Sequence, residues 1–186
     1  MARVETVRII GGRFKGIKLV SPKGDSVRPT LDRVREAFFN IIGFAVEGAT
    51  FLDLYGGSGA VGLEALSRGA KHVTVVELWQ TGLIQQNCAK CQVAPSDEFR
   101  LIKGEVMATM AELTSAETRF DIVYADPPWK TGAPDGLIGY GAQILNEGGQ
   151  FILESFHKDA APSEPGSLNL AGTRKYGDAA LHFYTR

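Results

Sequence analysis

Cysteine and histidine are scarce in this chain, with two and three copies in 186 residues. A structural zinc centre needs four ligands, most often Cys and His in close pairs. Cys88 and Cys91 have the Cys-x-x-Cys spacing, but His72, His157 and His182 show no ligand-like pairing, so no metal is expected. A redox pair would open a helix directly after a strand. These two sit inside a helical pattern and read as reduced, partly buried thiols. Long apolar runs are also missing: nothing approaches the ~20 residues of a membrane span. The opening Met1-Ala2-Arg3-Val4-Glu5 lacks the apolar core of a secretory signal. The expectation is a cytoplasmic, monomeric protein with no membrane partner. No repeat or low-complexity tract is visible. Charge of one sign is absent too, because the net charge is −1, which by itself argues against a nucleic-acid binder.

The distribution of charge argues the other way. Residues 1–40 carry nine Lys or Arg against four acids, and the rest of the chain is net acidic. A basic arm on an acidic body is the footprint of a segment that meets a polyanion, although a solvated charged face would show the same excess. Arg8-Ile9-Ile10 and Ile17-Lys18-Leu19-Val20 flank Gly11-Gly12-Arg13-Phe14-Lys15-Gly16, which predicts a β-hairpin with a basic, glycine-rich turn. After Pro22 and Gly24, Arg28-Pro29-Thr30 introduces a helix with Thr30 as its cap. Val34, Ala37, Phe38, Ile41 and Ile42 form its apolar face. Arg13, Lys15, Lys18, Arg28, Arg33 and Arg35 are the candidate RNA contacts. This extension is taken as residues 1–48, and a second unit as 49–186.

From residue 49 strands and helices alternate. Strands are predicted over 50–55, 72–77, 100–103, 120–125 and 150–154, and helices over 60–68, 81–92, 106–113 and 137–145. Two more strands in 168–184 meet at Gly177-Asp178, and 160–167 reads as a loop in place of a helix. Alternation of this kind implies a largely parallel sheet covered on both faces, with ligands at the carboxyl ends of its strands.

Two motifs fall at such ends. After the first strand, Asp53-Leu54-Tyr55-Gly56-Gly57-Ser58-Gly59-Ala60-Val61-Gly62 contains G-x-G-x-x-G at the turn into a helix, where missing β-carbons admit a nucleotide ligand. Glu77 ends the second strand, where a carboxylate accepts from ribose hydroxyls. That much fits NAD as well as S-adenosylmethionine. Asp53 favours the latter, since a carboxylate beside the loop suits a cationic α-amino group and repels a pyrophosphate. A hydrolase elbow at Ser58 fails because Ala60 stands where G-x-S-x-G needs glycine. After the fourth strand comes Asp126-Pro127-Pro128-Trp129. Consecutive prolines stiffen the backbone and remove two N–H donors. The remaining acceptors, with an aromatic face beside them, suit a flat amine; a rigid strand exit is the bland alternative.

The blocks Arg8–Gly16, Arg28–Ile41, Gly57–Ala70 and Asp126-Pro127-Pro128, with Lys175-Tyr176-Gly177-Asp178 near the end, together resemble the RsmD family. The resemblance runs nearly the whole chain, and the N-terminal blocks are its most specific part. It implies an α/β, Rossmann-like class I methyltransferase fold: a seven-stranded, mostly parallel sheet with the last strand antiparallel, plus a small N-terminal hairpin and helix. It also implies transfer of a methyl group from S-adenosylmethionine to the exocyclic N2 of a guanine in small-subunit ribosomal RNA, free or in the assembling subunit. Asp53, Gly57 and Gly59 are then expected at the methionine end of the cofactor and Glu77 at its ribose, with Gly56, Ser58 and Leu78 also among the cofactor-binding residues. Glu105 is expected near the adenine amine, and Asp126, Pro127, Pro128 and Trp129 around the target, with Asp126 also lining the cofactor. The sequence departs from the family at Leu78-Trp79, at Glu105 in place of Asp, and at Trp129 in place of Tyr or Phe. Trp79 is accordingly placed against adenine. Other readings stay open: an amino-methyltransferase on DNA adenine or protein glutamine, an NAD-dependent oxidoreductase, and a non-catalytic RNA-binding factor.

Overall fold

The protein is described from a computed structural model covering residues 7–21, 32–94, 98–164 and 167–186. Arg28 and the proposed cap Thr30 lie outside the described residues.

Seven strands form one sheet in the order β3-β2-β1-β4-β5-β7-β6. In chain order they are β1 Thr50–Leu54, β2 His72–Glu77, β3 Phe99–Lys103, β4 Phe120–Ala125, β5 Leu145–Phe156, β6 Asn169–Tyr176 and β7 Ala179–Thr185. Pairing is parallel from β3 through β5, and β7 runs antiparallel to both β5 and β6. The central strands read as continuous apolar runs because both faces are covered. On one face Val73, Val75, Ile122, Tyr124 and Ile152 pack with helices α1 (Asp32–Ile42), α2 (Ala60–Ser67) and α3 (Thr81–Lys90). On the other, Leu52, Leu54, Val123 and Leu153 pack with α4 (Val106–Ser115) and α5 (Leu137–Ile144).

The amino-terminal segment belongs to this core. Val7, Ile9 and Leu19 are buried in the same cluster as the sheet. The predicted hairpin survives as an antiparallel bridge between Arg8 and Lys18, closed by a single 3₁₀ turn over Gly12–Phe14. Its turn lies on α2. A β-carbon at Gly12 would stand 1.8 Å from the Ser67 carbonyl oxygen, so only glycine allows that approach. All eight residues of α2 are buried, since the sheet covers one side and this segment the other. Its two polar side chains therefore serve the segment. Glu64 accepts from the N–H groups of Ile10 (2.7 Å) and Gly11 (2.8 Å). Ser67 accepts from Phe14 N–H and donates to the Gly11 carbonyl.

Three features differ from expectation for local reasons. The buried stripe of α1 is Val34, Arg35, Phe38, Phe39 and Ile42, so Phe39 replaces Ala37 and Ile41, and Ile41 is exposed. The rings of Phe38 and Phe39 both reach Phe51 in β1, which fixes the rotation of the helix. α3 stops at Lys90 rather than Gln92, where the backbone turns left-handed. β5 starts directly after α5, and a register shift between Phe120 and Ile122 of β4 absorbs residues 146–149, which lie between the expected helix and strand. No helix follows β5 among the described residues up to Glu164. That acid instead caps α5, accepting from Gly136, Ile138 and Gly139.

Candidate active site

The chain leaves β1 toward β2 on one side of the sheet, while β4 pairs with β1 on the other, so the crevice of this α/β sheet opens at the carboxyl ends of β1 and β4. Asp53 and the glycine loop lie on one side of it and Asp126-Pro127-Pro128-Trp129 on the other. Asp53 is buried, and its carboxylate accepts the Gly62 N–H at 2.9 Å. A β-carbon at Gly62 would fall 2.7 Å from Val75 and 3.2 Å from that carboxylate, which explains the glycine at the third position of the motif. Burial pushes the Asp53 carboxyl up to about 7; the Gly62 N–H opposes the shift and the Glu77 charge adds to it. A cation docked beside Asp53 removes that penalty. The site thus has a carboxylate acceptor for an α-ammonium group, and the residues present fit the methionine end of S-adenosylmethionine.

Glu77 is held by three backbone donors. One oxygen accepts from Gly57 N–H at 2.8 Å, and the other from Trp79 (2.7 Å) and Gln80 (3.0 Å). A carboxylate accepts about four hydrogen bonds, so capacity for a ribose hydroxyl is left. The same contacts make Glu77 the brace that shapes the glycine loop. Ser58 is buried, and its carbonyl accepts from Asn87 at 2.8 Å. Leu78 is half-buried and Trp79 is 82% exposed, so no described residue covers the Trp79 ring. Glu105 caps α4 through the Ala108 N–H at 2.8 Å. That fixes its carboxylate at the helix start, next to Tyr55, whose hydroxyl is pushed up to about 12 by burial and then by the Glu105 charge.

Asp126 still follows strand geometry, its N–H donating to the Leu54 carbonyl at 3.4 Å. Pro127 and Trp129 line a cleft of about 190 Å³ shared with Glu154, Ser155 and Pro162. Pro128 is exposed. Trp129 tilts against Phe156 with ring centroids 5.4 Å apart, which anchors one edge of the indole. Beneath the cleft, the buried Tyr124 hydroxyl donates to Glu154. Burial raises the Tyr124 hydroxyl well above its ordinary value, followed by the charges of Glu154, Asp126 and Asp53, so it stays protonated and remains a donor.

The described basic residues are not gathered on one surface. Arg33 is exposed and its guanidinium lies against Gly177 in the β6–β7 turn, at the cleft end of the sheet. Arg13 pairs with Glu98 at 2.8 Å, just before β3, and so lies with Lys15 at the opposite end. Lys18 is exposed along the flank. Arg35, expected to face RNA, is completely buried. It donates to the Arg8 carbonyl and to Asp32 (2.9 Å) and lies 3.6 Å from Glu64, so it ties α1 to the amino-terminal segment. Cys88 and Cys91 are buried and form no disulfide, and burial raises both thiols, that of Cys88 to about 12.

Several supporting residues escaped sequence reasoning. Asn87, fully buried, accepts from Val20 N–H and donates to the carbonyls of Val20 and Ser58, joining the amino-terminal segment to the glycine loop. Tyr55 holds φ at 65°, a left-handed conformation uncommon outside glycine and typical of functional turns. Its place directly before two glycines was the available signal.

This strand order, with β7 reversed and a glycine loop leaving β1, is the Rossmann-like fold of the class I S-adenosylmethionine-dependent methyltransferases. A model of the family described as "Conserved hypothetical protein 95" matches residues 7–185. The chain is 32% identical to the Escherichia coli K12 protein "Ribosomal RNA small subunit methyltransferase D", over 97% of this chain and 90% of that one. It is 36% identical to the protein of the same name from Haemophilus influenzae, over 66% and 64% of the two chains. The solved structure of a hypothetical protein from Thermus thermophilus superposes with a TM-score of 0.80 at 28% identity, covering 96% of this chain and 98% of that one. The chain belongs to the RsmD family of ribosomal RNA methyltransferases.

Proposed function

We propose that this protein methylates the exocyclic N2 of a guanine in small-subunit ribosomal RNA. The observation that carries the reading is the position of Asp126-Pro127 at the carboxyl end of β4, across the crevice from Asp53 and the glycine loop, in a chain whose relatives are named for small-subunit ribosomal RNA.

S-adenosylmethionine, when bound, supplies an electrophilic methyl on a sulfonium that becomes a neutral thioether as the new bond forms. The chain's residues do the rest. Asp53 holds the ammonium end and Glu77 the ribose. Guanine N2 is a weak nucleophile because its lone pair is delocalised into the ring. The Asp126 carboxylate and the Pro127 carbonyl accept from its two hydrogens, draw the nitrogen out of plane and aim its lone pair at the methyl carbon. With the methyl donor bound, loss of its C–S bond would accompany formation of the N–C bond, and Asp126 would be adjacent to receive the departing N2 proton. Orientation and fixed acceptors supply most of the acceleration. The base must leave its stack, and the Trp129 face offers a platform worth ~1–3 kcal/mol. Arg33 at the cleft mouth meets the backbone.

Labelled methyl transfer into under-modified small-subunit RNA, as free RNA and as assembled particles, tests the reading after digestion to nucleosides. Label in N2-methylguanosine is expected. Label only in methyladenosine, or none with either substrate while the protein binds S-adenosylhomocysteine, would overturn it.

A further inference from the structure

Glu154 is a buried carboxylate, 3% exposed, in a strand whose preceding residues Phe151, Ile152 and Leu153 are all apolar and buried. No element of the mechanism above uses it, yet it lines the cleft with Pro127 and Trp129. The β4–β5 register explains why. Ala125 lies opposite Leu153, the last β4–β5 pair, so Asp126, the first residue past β4, falls beside Glu154, which stays in β5 and pairs with Leu181 of β7. Alternation puts both on the face that carries Tyr124 and Ile152. Tyr124 feels the charges of both acids, and its hydroxyl donates to Glu154. Tyr124 is itself fixed by the Phe38 ring of α1, with centroids 4.8 Å apart. Two carboxylates thus stand side by side where β4 ends against β5, and one is clamped from below.

The Watson–Crick edge of guanine presents two adjacent donor groups, N1–H and the N2 amine. Adenine presents an acceptor, N1, beside its amine, and a carboxylate placed there repels it. We propose that Glu154 is the residue that selects guanine, accepting N1–H while Asp126 and the Pro127 carbonyl take the hydrogens of N2. A carboxylate accepts about four hydrogen bonds, so the Tyr124 contact orients Glu154 without exhausting it. Tyr124 is then a positioning residue. The inference rests on the guanine-N2 reading and adds to it the source of base discrimination.

The test uses small-subunit RNA carrying 2-aminopurine at the mapped acceptor position. That base keeps the N2 amine and has an acceptor in place of N1–H. The wild-type enzyme is expected to prefer guanine by roughly 10⁴-fold in kcat/KM, because a site built around a hydrogen bond rejects the analogue that lacks it. Glu154→Gln presents an amide that donates to the 2-aminopurine N1, and the preference should collapse to within about tenfold. Affinity for S-adenosylhomocysteine should be unchanged, which also shows that the variant is folded. Tyr124→Phe should narrow the preference in the same direction, again with cofactor affinity intact. A preference equal to wild type in both variants overturns the role of Glu154 while leaving guanine-N2 methylation standing. Absence of N2-methylguanosine from the wild-type reaction removes the functional reading itself.

Discussion

Asp53 gives the sharpest quantitative expectation. Its carboxyl titrates near 7 in the protein alone, against an ordinary value of 3.8, because it is buried beside Glu77. Docking of an α-ammonium group restores the ionised form, so binding below that value must release a proton. If the bound carboxyl returns to its ordinary range, the dissociation constant for S-adenosylhomocysteine should tighten about 25-fold from about pH 5.5 to about pH 7.5. The range stays below pH ~7.7–8.0, where an α-amino group loses its own charge. Titration calorimetry in two buffers of different ionisation enthalpy should count close to one proton released at the acid end and a small fraction at the other. The sign for folding is opposite. A carboxyl raised on folding destabilises the ligand-free protein progressively as pH climbs from about 4 to 7, by at most about 4 kcal/mol at neutrality. Asp53→Asn should therefore bind the ligand more weakly at about pH 7.5, lose the pH dependence, and melt higher than wild type when free of ligand. Wild-type affinity that is flat across this range, with no proton release, would refute the assignment of Asp53 to the ammonium group.

Asp126→Ala should keep cofactor affinity within about twofold and lower methyl transfer by 10²-fold or more, as expected for loss of an electrostatic acceptor; equal turnover would remove Asp126 from the chemistry. Arg33→Ala should flatten the slope of RNA affinity against salt by about 0.7–0.9, the value of one phosphate contact, and exceed the effect of Arg13→Ala with Lys15→Ala. The reverse order would place the RNA on the other end of the sheet. Glu64→Ala removes one of the two carboxylates beside buried Arg35 and leaves two backbone N–H groups unpaired, so urea unfolding should show a loss of about 2–5 kcal/mol; a loss under about 1 kcal/mol would mean that solvent reaches the site. Asn87→Ala should weaken S-adenosylhomocysteine binding as well as stability, because it severs Val20 from Ser58, and unchanged cofactor affinity would uncouple the segment from the loop.

Much of this architecture was legible because it is written in local periodicity. The runs Phe51-Leu52, Val73-Thr74-Val75-Val76 and Ile122-Val123-Tyr124 are buried parallel strands, and glycine, proline and the two acids mark their carboxyl ends. Charge was the misleading signal. Arg35 counts as basic in any tally, but it is spent inside the fold, against Glu64 and the Arg8 carbonyl. That partnership spans α1, α2 and the amino-terminal segment, and no spacing within one element encodes it. The same holds for Asn87 and Glu154, whose partners lie on elements distant in sequence. One trace was available: Ala60–Ser67 is apolar on every side except Glu64 and Ser67, the mark of a helix covered all round with two polar groups for a neighbouring backbone. The extension therefore shares the core of the sheet, and of its cations Arg33 alone among the described ones is placed against the β6–β7 turn beside the cleft.

The central claim is that the acceptors at Asp126 act on the N2 of one guanine in small-subunit ribosomal RNA. Mass-spectrometric mapping of that RNA from cells lacking the gene, and from the same cells carrying the wild-type or the Asp126→Ala protein, tests it most directly. One guanosine should lose a methyl on N2 in the deletion, regain it with the wild-type protein and stay unmodified with the variant. An unchanged guanosine profile in the deletion, or restoration by Asp126→Ala, would contradict the account.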